Sequence, residues 1–248
     1  MPMKYSFLIC ILTIFYSCEQ NPTYPSNEWG CQQMLVVKTM GMEAVQGQLI
    51  AYNWSVEKRA WIKASTEMPI VVGYKGSAWG KGLHADTFLK PPFKHEGDRK
   101  SPVGIFYLSS FFGYHEGDKL GVLKMPYIKA DASLFCVDDP LSKYYNRIVD
   151  KDTVQKDWHS AEQMVLDNDL YKYGVVVDYN YPKTEKGKGS CIFLHIWRNA
   201  QEGTFGCTAL DESKVKDILL WLDIAKKPIL VQAPETEYAL LKEKYFLP

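Results

Sequence analysis

No sign of charge dominates this 248-residue chain, in which 29 basic side chains stand against 29 acidic ones. Nucleic-acid binding by a basic face is therefore excluded, because displacing counterions from a polyanion needs clustered Lys and Arg. Glycine, at 17 residues, falls far short of the one in three that a collagen repeat needs, and no heptad run occurs, so collagen-like and coiled-coil architectures fall away. The six cysteines contain no CxxC pair, which removes zinc ribbons and thioredoxin-type redox sites. His115-Glu116 and His159 with Glu162 do not make the HExxH spacing that sets two imidazoles on one helical face. The glycines at 73, 76, 80 and 82 fail as a phosphate loop, since Lys81 is followed by Gly and not by Ser or Thr. No apolar run reaches the ~18 residues of a membrane helix.

What is present is a large apolar and aromatic content, 46% and 14%, enough for a substantial core in one domain. The first residues are of another kind. Lys4 precedes an uncharged, mostly apolar stretch, Tyr5–Tyr16, which ends at Ser17-Cys18 before polar Glu19-Gln20-Asn21. That length suits a secretory h-region. The segment resembles a bacterial lipoprotein signal, which implies residues 1–17 as signal peptide, Cys18 as the lipidated first residue and 18–33 as N-terminus and tether. The expected location is the periplasmic side of the cell envelope, anchored to membrane through Cys18, in a compartment that permits disulfides.

Beyond the tether, short β-branched and aromatic runs broken by Gly, Pro and polar turns predict strands at Met34–Met40, Gly47–Ser55, Arg59–Thr66 and Pro69–Gly73. Further strands are predicted at Val103–Ser109, Gly174–Tyr181, Cys191–Trp197 and Ile229–Gln232. Val215, Ile218, Leu219 and Leu222 follow helical spacing, with Asp211 as cap and Pro228 as stop. A second helix is predicted over Glu235–Tyr245 and a short one over Ser160–Leu166, capped near Asp157. The fold class is mainly β with a few peripheral helices.

The chemistry is concentrated late. A strand carries His195, a polar loop follows, and Thr204-Phe205-Gly206-Cys207 arrives before the helix. An unperturbed thiol is only a few per cent thiolate at neutral pH, so a nucleophilic Cys needs a base or a positive field. His195 is the candidate base. Gly206 permits a sharp turn in which its N–H and that of Cys207 face a developing oxyanion.

These residues resemble the L,D-transpeptidase catalytic-domain (YkuD-like) family, whose hallmark is a strand-end His, a loop and Ser/Thr-His-Gly-Cys. Upstream, Gly97-Asp98-Arg99-Lys100-Ser101-Pro102-Val103-Gly104-Ile105-Phe106 is similar to the family's Gly-Asp-x-x-Thr-Pro-x-Gly-x-Tyr/Phe. The departures are Phe205 in place of a second His, Ala209 for an Arg or Asn, and Ile196 for Gly or Ser. The resemblance implies a β-sandwich or barrel catalytic domain over 34–248, with an insertion over about 127–180 shaping the cleft. It implies acyl transfer on peptidoglycan stem peptides through a Cys207 thioester, with His195 moving the protons and no metal or organic cofactor. Glu162 and Arg198 are candidates for holding a substrate amine and carboxylate, Trp197 for a cleft wall, and Thr204 for a further substrate contact. Phe205, Trp197 and Phe111–Tyr114 are the expected source of a dry wall around the thiol. Cys136 and Cys191 are candidates for a disulfide, two separately buried thiols being the alternative. Hydrolysis of the same bond by an L,D-carboxypeptidase or endopeptidase, and a non-catalytic wall-binding lipoprotein, are the competing activities.

Overall fold

The computed structural model describes residues 29–85 and 89–248. The expected signal peptide 1–17 and Cys18 lie outside the described residues. In chain order the strands are β1 (Gln33–Thr39), β2 (Gln46–Ser55), β3 (Ala60–Lys63), β4 (Met68–Val71), β5 (Ser77–Trp79), β6 (Ser101–Gly113) and β7 (Tyr127–Lys129). They continue with β8 (Leu134–Cys136), β9 (Ile148–Asp150), β10 (Glu162–Gln163), β11 (Tyr173–Val177), β12 (Phe193–Ile196), β13 (Thr208–Leu210) and β14 (Ile229–Pro234). Among the described residues there are two α-helices, α1 (Glu212–Trp221) and α2 (Glu235–Tyr245), and neither is long and apolar enough to cross a membrane.

The large sheet runs β1-β14-β6-β11-β12-β13-β4-β2, and β2 pairs back onto β1, so the path closes as a barrel. Most pairs are antiparallel; β1 with β14, β12 with β13, β5 with β6 and β6 with β7 are parallel. The near-continuous apolar runs follow from burial on both strand faces. Leu35, Val37, Leu194, Ile196 and Leu230 point into the interior, which α1 closes with Val215, Ile218 and Leu219. Met34, Val36, Ile229 and Val231 point outward and are covered by Tyr238 and Leu241 of α2.

Both α-helices stand where the periodicity puts them, and Asp211 caps α1 by accepting from the Ser213 N–H. The stop of α1 is different from the expected one. Leu222 turns extended and is fully buried, ending the helix well before Pro228. The helix predicted over Ser160–Leu166 is absent. Glu162 and Gln163 instead pair as β10 with Cys136 and Phe135 of β8, and the Met164 N–H donates to the Leu134 carbonyl at 3.0 Å. Asp157, the expected cap, accepts from the Ser142 hydroxyl and the Lys143 N–H. Tertiary partners for the backbone outweigh a weak local helical preference here.

Of the stretch 127–180, β7 and β11 belong to the large sheet, while β10-β8-β9 form a separate three-stranded sheet. Residues 29–33, which fall within the expected tether, are packed on the domain. Trp29 lies against Tyr245 at 5.1 Å, Cys31 is buried, and Gln33 hydrogen-bonds across the chain to Trp221 and Asp223.

Cys136 and Cys191 form a disulfide, their Cα atoms 5.9 Å apart, pinning the small sheet to the approach of β12. Cys191 is not on the strand, as the spacing suggested; it sits at a positive φ of 54° just before β12. The bridge closes a separation of 55 residues, which chain entropy converts to about 4 kcal/mol. A Cys136→Ala/Cys191→Ala variant is expected to lose stability of this order in urea unfolding. An unchanged midpoint would contradict that.

Candidate active site

Adjacent parallel strands create the site. On β12 the period of two sends Leu194 and Ile196 into the barrel and Phe193 and His195 to the outer face. The β12–β13 register sets Leu194 beside Thr208 and His195 beside Ala209. Cys207, immediately before β13, therefore lies next to Phe193, whose N–H donates to Sγ at 3.3 Å. Cys207 and His195 thus share the outer face as diagonal neighbours. A three-residue strand, absent from the sequence expectation, separates Cys207 from α1.

The His195 ring is fixed. Nδ1 meets the Ile196 carbonyl at 2.7 Å, and because a carbonyl only accepts, Nδ1 carries the proton and Nε2 the lone pair. The Tyr171 ring closes over it at 5.0 Å and 74°. Burial pushes the imidazole down to about 4, against the pull of the Ile196 and Leu170 carbonyls. Burial likewise pushes the Cys207 thiol up to about 12, and the Glu162 charge adds to this. The Phe193 N–H, Tyr171 and Lys94 act in the opposite sense. The resting pair is therefore a neutral imidazole and a neutral thiol. No hydrogen bond among the described residues joins them; the thiol donates instead to the Cys191 carbonyl at 3.6 Å.

Gly206 stands at φ 147°, open to glycine, and a Cβ there would press within 3.2 Å of the Lys100 carbonyl. Its N–H, expected to face an oxyanion, instead donates to Thr204 Oγ1 at 3.1 Å. Thr204 in turn donates to the Cys207 carbonyl at 2.6 Å, so its hydroxyl closes the loop on itself. Ser101 completes the clamp, accepting from the Gly73 N–H and donating to the Gly206 and Cys207 carbonyls at 2.7 and 3.1 Å. The upstream motif thus has a visible task, holding the backbone that presents Cys207.

Asp98 of that motif accepts from Lys94 Nζ at 2.8 Å and from the His95 and Lys100 N–H groups. Lys94 and Asp98 are both buried, and the Lys94 ammonium lies beside Gly206. Removing one member of a buried pair leaves a bare charge, at a cost of about 3–5 kcal/mol. Asp98→Ala is expected to show that loss in urea unfolding; a shift below about 1 kcal/mol would place the pair in solvent-like surroundings.

His195 and Cys207 open into one cleft of about 810 Å³. Trp197 forms part of its wall and packs on the barrel core, while exposed Arg198 stands at the rim, paired with Glu202 at 2.9 Å. Glu162 lines the cleft as well, but its carboxylate is engaged by the Tyr171 hydroxyl. Burial pushes Glu162 up to about 7, with the charges of Asp138 and Glu96 adding to the rise. Phe205 lines the cleft, but it is open to solvent and so does not make the dry wall expected of it. It is 73% exposed, with the Arg99 guanidinium over its ring at 5.4 Å. Phe111 faces the barrel interior, whereas Phe112, Phe193, Met164 and Tyr171 share one buried cluster with Cys207, and of these Tyr171 also lines the cleft. Tyr171 and Lys94 carry no local motif and are not identifiable from sequence. Among the described residues no group of three or more His, Cys, Asp or Glu is arranged to hold a metal ion.

The model of the L,D-transpeptidase catalytic domain matches residues 62–231 of the chain. No curated protein matches it. Among solved structures, the chain is similar to the helical cell shape determining protein Pgp2 from Campylobacter jejuni, at 15% identity and a TM-score of 0.36. The similarity covers 82% of this chain and 48% of the other, so this chain spans about half the length of that protein.

Proposed function

Because the chain belongs to the L,D-transpeptidase catalytic-domain family, we propose that it is a cysteine-dependent acyl-transfer enzyme acting on peptidoglycan stem peptides. The observation that carries this is the placement of Cys207 and His195 on one face of the sheet, opening into a single cleft. Cys207 Sγ attacks the carbonyl of an L-centred stem residue and expels the following D-amino acid, leaving a thioester. An amine from a second stem then attacks the thioester. His195, neutral at physiological pH with Nδ1 tied to Ile196, takes the thiol proton as the S–C bond forms, returns it to the departing nitrogen, and then takes the proton of the incoming amine. The Lys94 ammonium beside the Gly206–Cys207 turn supplies the polarity that a developing oxyanion requires. Arg198 at the rim is a partner for a substrate carboxylate and Trp197 a wall for its body.

Transfer is favoured over hydrolysis by the buried apolar cluster of Phe112, Phe193, Met164 and Tyr171 into which the thiol is packed, because a thioester survives for an amine only where water is kept away. The test is the product ratio from donor stem peptide with and without a second stem amine. A cross-linked dimer that appears only with the amine supports transfer. Equal trimming in both cases makes the protein an L,D-carboxypeptidase or endopeptidase, and no product at all makes it a wall-binding protein. Anchoring through Cys18 on the periplasmic side of the envelope belongs to the same proposal. Mass spectrometry of the mature N-terminus decides it, since any start other than an acylated Cys18 removes the anchor.

A further inference from the structure

Among the described residues, Lys94, Arg99 and Arg198 are the cationic side chains that line the cleft. Two of them are already engaged, Lys94 by buried Asp98 and Arg198 by Glu202. No carboxylate among the described residues pairs with the exposed Arg99. Its guanidinium instead lies over the ring of Phe205, which also lines the cleft and is open to solvent. Such a contact steadies a cation without neutralising it. We propose that Arg99, held over Phe205, binds the terminal carboxylate of the D-amino acid that the donor stem peptide gives up.

The backbone places this cation at a cost. Arg99 stands at a φ of 58°, in the left-handed region that is unfavourable to any residue with a Cβ. Buried Asp98 imposes it, by accepting from the His95 N–H on one side of Arg99 and from the Lys100 N–H on the other. The Arg99 carbonyl is held as well, by the Lys75 N–H at 3.0 Å. An exposed side chain gains no packing in return, and strain held at a cleft without packing gain is the mark of a functional placement. Both members of the pair are tied to the nucleophile. Ser101, two residues beyond Arg99, donates to the Gly206 and Cys207 carbonyls, and Phe205 stands two residues before Cys207.

The choice of anion rests on the reading of Cys207 as the nucleophile. With the scissile carbonyl at Sγ, the carboxylate of the next residue lies only about 3.5 Å of extended chain further on. Phe205, near Cys207 in the chain and on the cleft wall, flanks that stretch. The rest of the cleft disfavours an anion, because Glu96, Asp138 and Glu162 line it too. Arg198 meets a carboxylate only by giving up Glu202, whereas Arg99 gives up nothing. With its carbon over the ring, the planar guanidinium keeps N–H donors for both oxygens of a carboxylate. Arg99 is thus a substrate-binding residue and Phe205 the positioning residue beneath it.

The experiment compares two synthetic donor stem peptides that differ only in ending as a D-carboxylate or as the D-carboxamide. Single-turnover acylation is read by intact-protein mass spectrometry, and binding of both peptides to Cys207→Ala is read by calorimetry, which needs no chemistry. The wild type is expected to prefer the acid by about 10–100-fold, the worth of a charge-assisted contact. In Arg99→Gln the acid-to-amide ratio is expected to fall to about one, and Arg99→Lys to keep part of it. Arg99→Gly, at ease in a left-handed backbone, is expected to fold as well as the wild type and to lose the same ratio. Phe205→Ala should lower the ratio and Phe205→Tyr restore it. A wild type indifferent to the terminal group would overturn the assignment. So would Arg99 variants that slow both donors and keep the ratio, since that is the result of a merely structural role. If no thioester forms, the proposed activity fails, and the calorimetry still decides. Acid-selective binding that is lost when Arg99→Gln is added to Cys207→Ala supports Arg99, and equal binding of the two peptides, or of neither, overturns it.

Discussion

Cys207→Ala is expected to lower turnover by at least about 10⁴-fold, because a nucleophile has no substitute in a covalent mechanism. The fold is expected to survive. The thiol is buried among Phe112, Phe193, Met164 and Tyr171, and deleting one sulfur from such a cluster costs about 1 kcal/mol in lost packing. The loop itself does not depend on the sulfur, since Ser101 and Thr204 hold the Gly206 and Cys207 carbonyls through backbone contacts. Turnover and the urea midpoint of the variant check both halves. Activity within about tenfold of wild type would remove Cys207 from the chemistry.

His195→Ala is expected to cost about 10²–10⁴-fold in overall transfer, the range for a positioned base. A second effect follows from its burial. The ring falls from an ordinary 6.5 to about 4 on folding, so the unfolded chain binds the proton that the native protein refuses. Stability contributed by the neutral ring is complete above about pH 6.5 and is lost as pH falls toward 4, by about 3 kcal/mol. His195→Ala should therefore flatten the acid limb of the stability profile. Urea midpoints at pH 7 and pH 4.5 measure it, and an equal drop in both proteins would place the titration elsewhere.

The parts of this site legible in the sequence are those that a local rule governs. The spacing of His195 and Cys207 is a weak signal by itself, and the resemblance of His195 and Thr204–Cys207 to the family motif is what marks them as partners in the sequence. The bounds of α2 and the Asp211 cap of α1 follow from periodicity and capping chemistry. The Gly97–Phe106 run is visible as a motif, but its purpose is not, because Ser101 reaches the nucleophile loop across more than a hundred residues. Long-range partners also explain the misreadings. Ser160–Leu166 has a helical composition, yet β8 offers its backbone a pairing edge. Phe205 is apolar, yet a turn at Gly206 throws it outward onto Arg99. Tyr171 is one of 16 tyrosines, and only the packing of β6, β12 and the small sheet singles it out.

The most direct test of the central claim is the mass of the protein itself after mixing with a donor stem peptide and quenching in acid. The account predicts an increase equal to the donor acyl group without its terminal D-amino acid, mapped by digestion to the peptide that holds Cys207 and absent from Cys207→Ala. An unmodified Cys207 in natively folded wild-type protein, at times when the donor has been consumed, would contradict it.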